Sequence, residues 1–413
     1  MTDQGKTVGP RPHRRAILQG ALQGLGVMML GCGHDQRSVA QGLSTETVTS
    51  SRAGGTRPRS ISEIGPLEPV DQNQIRLPPG FTSRVVARAG QVVVEGSPYL
   101  WHYAPDGGAT YATEDGGWIY VSNCELQDVG GVGALRFDAE GTIVDAYSIA
   151  NNTSRNCGGG HTPQGTWLTC EEVPRGRVFE CDPFGRRDAV LRPALGIFNH
   201  EASAHDLENQ HVYLTEDEFD GGLYRFVPDR LDERGYADLS SGRLEIAQVL
   251  PNSEVVWHEI PDPTFEGTTA TRYQLGTRAK FNGGEGIWWH RGHIYFSTKG
   301  DDRIWDYDVE AARMRVLYDA WTARNPILTG VDCILGTTAG ELLVAEDGGD
   351  MQVNVILSNG TLKPVLQVIG HLGSEVTGLA FDPSGTRMYF SSQRGGGNGI
   401  TYEVTGPFHR SEG

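Results

Sequence analysis

Apolar residues recur along this chain in short runs that follow a turn and end in small, hydroxyl and then polar residues. Runs of this length and pattern are typical of β-strands. Further strand-like runs precede and follow each one, which gives six units of about four strands. The six runs are centred on Tyr120, Trp167, Tyr213, Tyr295, Leu343 and Tyr389, at spacings of 47, 46, 82, 48 and 46 residues.

Six units at a regular period indicate an all-β fold, a six-bladed β-propeller, over residues 76–410. The one long spacing contains an insertion at about 229–280. Residues 81–89 are expected to supply the strand that closes the ring with the last blade. The alternative is a β-sandwich whose strands share this spacing by coincidence.

The N-terminal residues are interpreted as a targeting segment. Arg14 and Arg15 precede a weakly apolar stretch that ends near Leu30, which matches a Tat export signal over residues 1–40. Residues 29–32 resemble a lipobox that would anchor Cys32 in a membrane, whereas residues 38–40 fit ordinary signal-peptidase cleavage, and both alternatives stay open. The Tat translocase is therefore an expected partner. The protein is expected to be periplasmic, extracellular or lipid-anchored outside the cytoplasmic membrane.

Residues 41–75 are rich in Ser, Thr, Gly and Arg and lack an apolar period, which predicts a disordered linker. The formal net charge of −17 disfavours nucleic acid as a partner. The excess of carboxylates is explained either by solubility or by a cluster that holds cations.

The stretch from Asn156 to Glu172 carries the first candidate chemistry. Cys157 stands beside three glycines that let the backbone approach closely, and Glu171 and Glu172 follow a short apolar run. A thiolate and two carboxylates this close together suggest metal ligands. A buried cysteine and a solvated acidic turn are the alternative.

Propeller geometry predicts that other carboxylates join this site. Residues before the first strand of a blade and after the second strand should share one mouth of the channel. The first row is Cys157, Glu201, Glu285, Asp332 and Glu375, and the second row is Asn123, Glu125, Glu171, Glu172, Glu216, Asp217, Glu346 and Asp347. So many carboxylates repel one another unless cations neutralise them. Oxygen-rich groups suit calcium, and a thiolate suggests a transition metal such as iron.

The chain resembles the PhoX-type alkaline phosphatases from about Pro78 to the C-terminus. The resemblance is carried by residues 153–157, 162–163, 165–167, 169–172, 200–201, 214–217, 222–228, 285–286, 375 and 377–378. It implies Tat export, a six-bladed propeller and hydrolysis of small-molecule phosphate monoesters on a cluster of Ca²⁺ and Fe³⁺.

The resemblance also implies roles for particular residues. Cys157 is expected to bind iron, with Glu172, Glu201 and Glu285 as cluster carboxylates. Asn123 is expected near the substrate phosphate, and Asn123 and Glu285 are the expected catalytic residues. With further residues taken from the two rows, the full set of expected metal ligands is Cys157, Glu172, Glu201, Glu285, Glu216, Asp332, Glu346 and Glu375.

One departure from the family pattern concerns phosphate binding. Where the family carries a phosphate-holding arginine, two residues before the glutamate corresponding to Glu285, this chain has Gly283. Arg155, Lys299 and Arg394 are basic residues near the predicted mouth that offer a substitute, although ion pairing within the fold is an alternative role for each. Two other functions stay open, a calcium-dependent propeller lactonase and a non-catalytic exported propeller that binds a ligand.

Overall fold

The apolar runs form strands that assemble into six antiparallel sheets, in a computed structural model that describes residues 61–324 and 326–408. The sheets form an all-β, six-bladed propeller, as the sequence predicted. The export signal (residues 1–40) and the first part of the linker lie outside the described residues. Among the described residues, no helix is long and apolar enough to cross a membrane.

The strands follow one another along the chain in blade order, after two that join the last blades. These two are β1 (Ile75–Arg76) and β2 (Thr82–Arg88). The first blade holds β3 (Pro105–Ala112), β4 (Trp118–Cys124), β5 (Gly130–Phe137) and β6 (Ile143–Thr153). The second holds β7 (Asn156–His161), β8 (Trp167–Glu171), β9 (Val178–Cys181) and β10 (Val190–Leu191). The third holds β11 (His200–His205), β12 (Val212–Glu216), β13 (Leu223–Pro228), β14 (Gly242–Val249) and β15 (Val255–Glu259).

The remaining blades repeat this arrangement. The fourth holds β16 (Gly284–His290), β17 (His293–Thr298), β18 (Arg303–Asp308) and β19 (Arg313–Asp319). The fifth holds β20 (Val331–Gly336), β21 (Leu342–Glu346), β22 (Gln352–Ile356) and β23 (Leu362–Val368), and the sixth holds β24 (Val376–Phe381), β25 (Arg387–Ser392) and β26 (Ile400–Thr405). Short 3-10 turns lie at Ile61–Glu63, Pro193–Leu195, Thr271–Tyr273, Lys299–Asp301 and Gly395–Gly397.

The ring is closed by β2, which pairs with β26 as the outer strand of the sixth blade. This is the strand that the sequence placed at residues 81–89. Arg84 donates to Glu403 across this pair at 2.9 and 2.8 Å. The seam between the sixth and first blades is bonded as well, because Trp118 Nε1 donates to Tyr389 Oη at 3.0 Å.

The predicted linker ends earlier than residue 75. Ile61, Ile64 and Ile75 are buried in the main apolar core. Strand β1 pairs with β23 and adds a fifth strand to the fifth blade. The segment lacks an apolar period, but three isoleucines are enough to anchor it on the blade.

The predicted insertion at about 229–280 is partly built into the third blade. Strand β14 pairs with β13 and strand β15 pairs with β14, so the segment supplies the fourth and fifth strands of that sheet. The remainder runs as a loop from Ile260 to the start of β16. The insertion therefore enlarges one blade and leaves the number of blades at six.

The inner strands pack closely against one another where glycines replace larger residues. A Cβ atom at Gly158 would lie 2.3 Å from the carbonyl oxygen of Glu201, and one at Gly160 would lie 2.2 Å from that of Ser203. Strands β7 and β11 therefore approach at a distance that only glycine allows. This contact sets Cys157 beside Glu201 at the start of the two strands.

Removing the Tyr389 hydroxyl is expected to weaken the closing seam. The hydroxyl donates to Glu403 Oε2 at 2.8 Å and accepts from Trp118 Nε1. Tyr389→Phe leaves Trp118 Nε1 without its hydrogen-bond partner and removes one of several donors to the buried Glu403. It should lower the free energy of unfolding by about 1–3 kcal/mol. Thermal unfolding measures the change.

Tyr295→Phe is the matched control, because Tyr295 occupies the equivalent run of the fourth blade and is only half-buried. Water can replace the lost hydroxyl contacts there, so a much smaller change is expected. Equal destabilisation by the two variants would contradict the role given to the seam.

Candidate metal centre

The inner strands place one residue each at the same position of the channel mouth. In each blade, the first residue of the inner strand pairs with the last residue of the second strand. The second residues of the six inner strands therefore occupy equivalent positions in the ring. This inner row is Asp106, Cys157, Glu201, Glu285, Asp332 and Thr377. Asp106 is not among the residues expected from the sequence. It lies 14 residues before Tyr120, within the interval of 10 to 14 residues that separates each first-row residue from the centre of its apolar run.

The second strands contribute an outer row at the same mouth. The last residue of each second strand takes part in the same pairing in every blade, so the residue directly after it also occupies an equivalent position in all six blades. The outer row is Glu125, Glu172, Asp217, Lys299, Asp347 and Gln393. Glu375 immediately precedes β24 and pairs with Asp347 in an isolated bridge, which places it beside these rows.

The residues just before the outer row belong to the interior of the blades. Successive side chains of a strand point to opposite sides, so Glu216 and Glu346 face away from Asp217 and Asp347. Glu216 accepts hydrogen bonds from Gly222 N at 2.9 Å, Tyr224 Oη at 2.8 Å and Arg272 Nη1 at 3.0 Å. The structure therefore does not bring the expected ligand Glu216 to the mouth.

The same correction applies to Glu346 and to Glu171. Glu346 accepts from the backbone amides of Thr329 at 3.1 Å and Gln352 at 3.0 Å. Glu171 accepts from Arg177 at 2.6 and 2.8 Å and from the Ser154 amide at 2.9 Å. These carboxylates cap loops within their own blades, and protein donors already satisfy them.

The remaining acidic residues form one cluster at the mouth. We define the mouth cluster as Cys157 with nine carboxylates, those of Asp106, Glu125, Glu172, Glu201, Asp217, Glu285, Asp332, Asp347 and Glu375. Three groups within it have ligand atoms all within 4.8 Å of one another: Asp106, Glu125 and Cys157; Cys157, Glu172 and Glu201; and Asp332, Asp347 and Glu375. Cys157 belongs to two of these groups. The mouth therefore offers three candidate cation sites.

The environment of Glu201 fits a bound cation. Its side chain is fully buried. Neither of its carboxylate oxygens accepts a hydrogen bond from the residues that the structure describes. A buried carboxylate without donors is costly in a folded protein, and coordination to a metal removes that cost. The donor set agrees, because carboxylate oxygens with one thiolate bind hard and transition-metal cations.

Burial and mutual repulsion both raise the pKa values of several fully buried residues of the cluster. Burial raises the pKa of Glu201 well above its usual range, and the charges of Glu285 and Glu172 raise it further. Burial likewise raises the pKa of the Cys157 thiol, with added repulsion from Glu201. The pKa values of Asp106, Glu172, Glu285 and Glu375 are raised by burial and by neighbouring carboxylates in the same way. Cations that enter the mouth would lower these pKa values.

Three basic side chains offset part of this charge. Lys299 Nζ lies 2.9 Å from Glu285 Oε1, 3.3 Å from Asp332 Oδ2 and 3.2 Å from Asp347 Oδ2. Arg155 contacts Glu125 at 3.1 Å and Glu172 at 2.7 Å. Arg394 contacts Glu375 at 2.8 Å. When its nine carboxylates are ionised, three basic groups leave the cluster strongly negative.

Asn123 has a different environment from the one expected for a substrate contact. Its amide nitrogen donates to the carbonyl oxygens of Cys157, at 2.6 Å, and of Gly158. Its amide oxygen accepts from Trp167 Nε1 and Thr169 Oγ1, both at 2.9 Å. Both ends of the amide are engaged within the protein. The Asn123 side chain therefore holds the backbone that carries Cys157 in position.

Gly283 lies next to the cluster in a conformation that suits glycine. Its φ angle is +70°, in the left-handed region. A Cβ atom there would lie 3.2 Å from Asp217 Oδ1 and 3.9 Å from Glu285 Oε1. A larger residue at position 283 would thus point at the cluster, but its backbone would be strained by about 1 kcal/mol or more.

Comparisons with known proteins agree with this architecture. The family model of the alkaline phosphatase PhoX matches residues 174–319, which confirms the resemblance drawn from the sequence. Pseudomonas fluorescens PhoX in complex with vanadate, a transition-state analogue, is 16% identical with a TM-score of 0.67, and the match covers 84% of this chain and 100% of that chain. A gluconolactonase from Xanthomonas campestris is 13% identical with a TM-score of 0.48, covering 86% of this chain and 99% of that chain. None of the curated proteins compared with this chain matches it. At 16% identity, the likeness to the Pseudomonas protein shows a shared fold.

Glu201→Gln is expected to weaken cation binding and to stabilise the metal-free protein. The amide removes a buried charge that has no donors, which should raise the free energy of unfolding at pH 8 by about 1–2 kcal/mol. Metal content per chain and thermal unfolding after chelation measure the two effects.

Glu171→Gln is the matched control, since Glu171 is an equally buried glutamate near the mouth that Arg177 and a backbone amide satisfy. It should lower stability by about 1–3 kcal/mol and leave the metal content unchanged. If both variants lose stability alike, Glu201 is an ordinary buried residue.

The metal-free protein is expected to lose stability as the pH rises above 4.5, the ordinary value for a glutamate. The raised pKa values mean that the folded chain binds more protons than the unfolded chain above that pH. The free energy of unfolding therefore falls with rising pH. Thermal unfolding of chelator-treated protein between pH 5 and pH 8 measures this slope. The metal-loaded protein should lack it, and a chelated protein that is more stable at pH 8 would contradict the cluster electrostatics.

Proposed function

We propose that this chain is a metal-dependent phosphatase that hydrolyses phosphate monoesters at the mouth of its propeller. The observation that carries the proposal is the buried mouth cluster, above all Glu201 with its two oxygens lacking donors. An acidic mouth of this kind cannot bind an anionic ester until cations neutralise it. The match to the PhoX family model and the vanadate bound by the Pseudomonas protein support a phosphate ester as the substrate.

Calcium and iron are the cations that the donor set favours. The groups that contain Cys157 combine a thiolate with carboxylates, which suits Fe³⁺. The group of Asp332, Asp347 and Glu375 offers oxygen alone, which suits Ca²⁺. Bound cations would neutralise the phosphate oxygens and favour attack by an oxygen nucleophile.

The chain's own residues would hold and orient this site. Asn123 fixes the carbonyl groups of Cys157 and Gly158, so the thiol has a defined position. Lys299 forms ion pairs with Glu285 of the fourth blade and with two carboxylates of the fifth blade. These contacts would fix the distances between the three carboxylates. Glu285 is the fully buried second residue of β16 and is the carboxylate that we assign to cation binding beside the substrate.

Metal-loaded protein is expected to hydrolyse simple phosphate monoesters, and chelation should abolish the activity. Glu285→Gln should lower kcat by about 100-fold or more, because the variant loses a ligand of the cation that would stabilise the developing charge, and one such stabilising contact contributes about that much. Glu245→Gln is the matched control, because Glu245 is also buried but is held by Arg225 and Arg243 in the third blade. That variant should keep the wild-type rate.

A parallel screen of phosphate diesters and lactones separates the proposal from its rivals. Hydrolysis of lactones with calcium alone would replace the phosphatase with a lactonase. Metal binding without turnover of any ester would leave a ligand-binding propeller. Iron measured together with calcium in the active protein supports the phosphatase.

A further inference from the structure

A cleft of about 490 Å³ opens beside the mouth cluster, between the sixth and first blades. Its wall includes Tyr103, Gln127, Arg155 and Arg394. Glu125 and Gln393 of the outer row also line it, so the cleft borders the cluster directly. Its volume lies within the range of about 300–1,000 Å³ that is usual for small-molecule sites.

Two guanidinium groups face this cleft from different blades. The Arg394 side chain is 40% exposed and contacts Glu375 on its inner side. The Arg155 side chain is 17% exposed and contacts Glu125 and Glu172. Both groups are therefore anchored on cluster carboxylates while part of each side chain remains accessible. Guanidinium groups held in this way recognise phosphate oxygens through paired N–H donors.

The backbone at Arg155 has an uncommon conformation that hydrogen bonds hold in place. Its φ angle of 45° lies in the left-handed region, which is uncommon for a residue other than glycine. The Arg155 amide donates to Leu126 O, and its carbonyl accepts from the Glu172 amide, both at 2.9 Å. Strained backbone that its surroundings fix in this way is frequent at ligand sites.

Gln393 adds an acceptor to the cleft. Its side-chain nitrogen donates to Asp106 and Glu125, which fixes the orientation of the amide. Its side-chain oxygen is buried and has no hydrogen-bond partner among the described residues. Buried polar atoms nearly always have a hydrogen-bond partner in native proteins. A ligand in the cleft could supply the donor that this oxygen lacks.

We infer that this cleft is the substrate subsite of the mouth and that Arg155 and Arg394 bind the anionic oxygens of the phosphate ester. Gln393 accepts a hydrogen bond from an N–H or O–H group of the same ligand. The inference rests on the proposed phosphatase function and assigns its substrate contacts to the sixth and first blades, on a different side of the mouth from Gly283. Arg155 and Arg394 bind here and make or break no covalent bond.

Arg394→Met tests the inference on metal-loaded protein. The variant should weaken the binding of inorganic phosphate by about 10- to 100-fold, since charge-assisted hydrogen bonds are the strong ones. KM for a phosphate monoester should rise by a similar factor, and kcat should change less. Metal content per chain should stay at the wild-type value. Arg394→Lys keeps the charge and should recover part of the affinity.

Arg84→Met is the matched control. Arg84 is 45% exposed and pairs with the buried Glu403, on the outer edge of the same blade. This variant should bind phosphate as the wild type does. The control therefore shows whether weaker phosphate binding in Arg394→Met comes from a lost substrate contact or merely from removing an arginine that pairs with a buried glutamate.

Two results would overturn the inference while the phosphatase function stands. One is wild-type activity with unchanged phosphate affinity in Arg394→Met. The other is a loss of bound metal in Arg394→Met, which would make Arg394 a partner of Glu375 only. A wild-type protein that neither hydrolyses phosphate monoesters nor binds phosphate would instead reject the proposed function, and the cleft assignment with it.

Discussion

The structure depends on how ten ionisable ligand groups, those of the mouth cluster, are kept together at one end of the propeller. Six inner strands converge there, so the residues at their second positions and at the ends of the neighbouring strands cannot avoid one another. Buried carboxylates repel strongly where water is excluded. Three basic side chains offset only part of the charge. The propeller therefore has a mouth whose charged form requires cations, and its rigid strands keep the groups from moving apart.

The mouth is also asymmetric in its chemistry. The half formed by the first three blades contains the thiol of Cys157, shared by two candidate sites. The half formed by the fourth to sixth blades contains only oxygen ligands, together with the Lys299 ammonium. A fold with six similar blades thus presents two different environments, because single substitutions at equivalent positions change the ligand type. This difference explains how one ring of ligands can suit two kinds of cation.

The sequence predicted the period of the blades and the closing strand because strand spacing is a local property of the chain. It could not decide which of two adjacent acids faces the mouth, since a shift of one residue in register reverses every side chain. Both acids of each adjacent pair were expected at the mouth. Among the expected ligands, Glu172 lies in the outer row, whereas Glu216 and Glu346 point into their blades and their neighbours Asp217 and Asp347 lie in the outer row. Asp106 has the same spacing from its apolar run as the first-row residues, but it is not among the residues expected from the sequence. Hydrogen bonds such as those of Asn123, which join two blades, leave no sequence pattern to detect.

Closure of the ring by β2 and β26 sets the order of events in biosynthesis. Arg84 and Glu403 meet across this pair although 319 positions separate them along the chain. The sixth blade cannot form until β26 has left the ribosome, and the candidate site of Asp332, Asp347 and Glu375 borders that blade. A growing chain therefore lacks the complete mouth until β26 has emerged from the ribosome, and the finished cluster is assembled only once that strand pairs with β2.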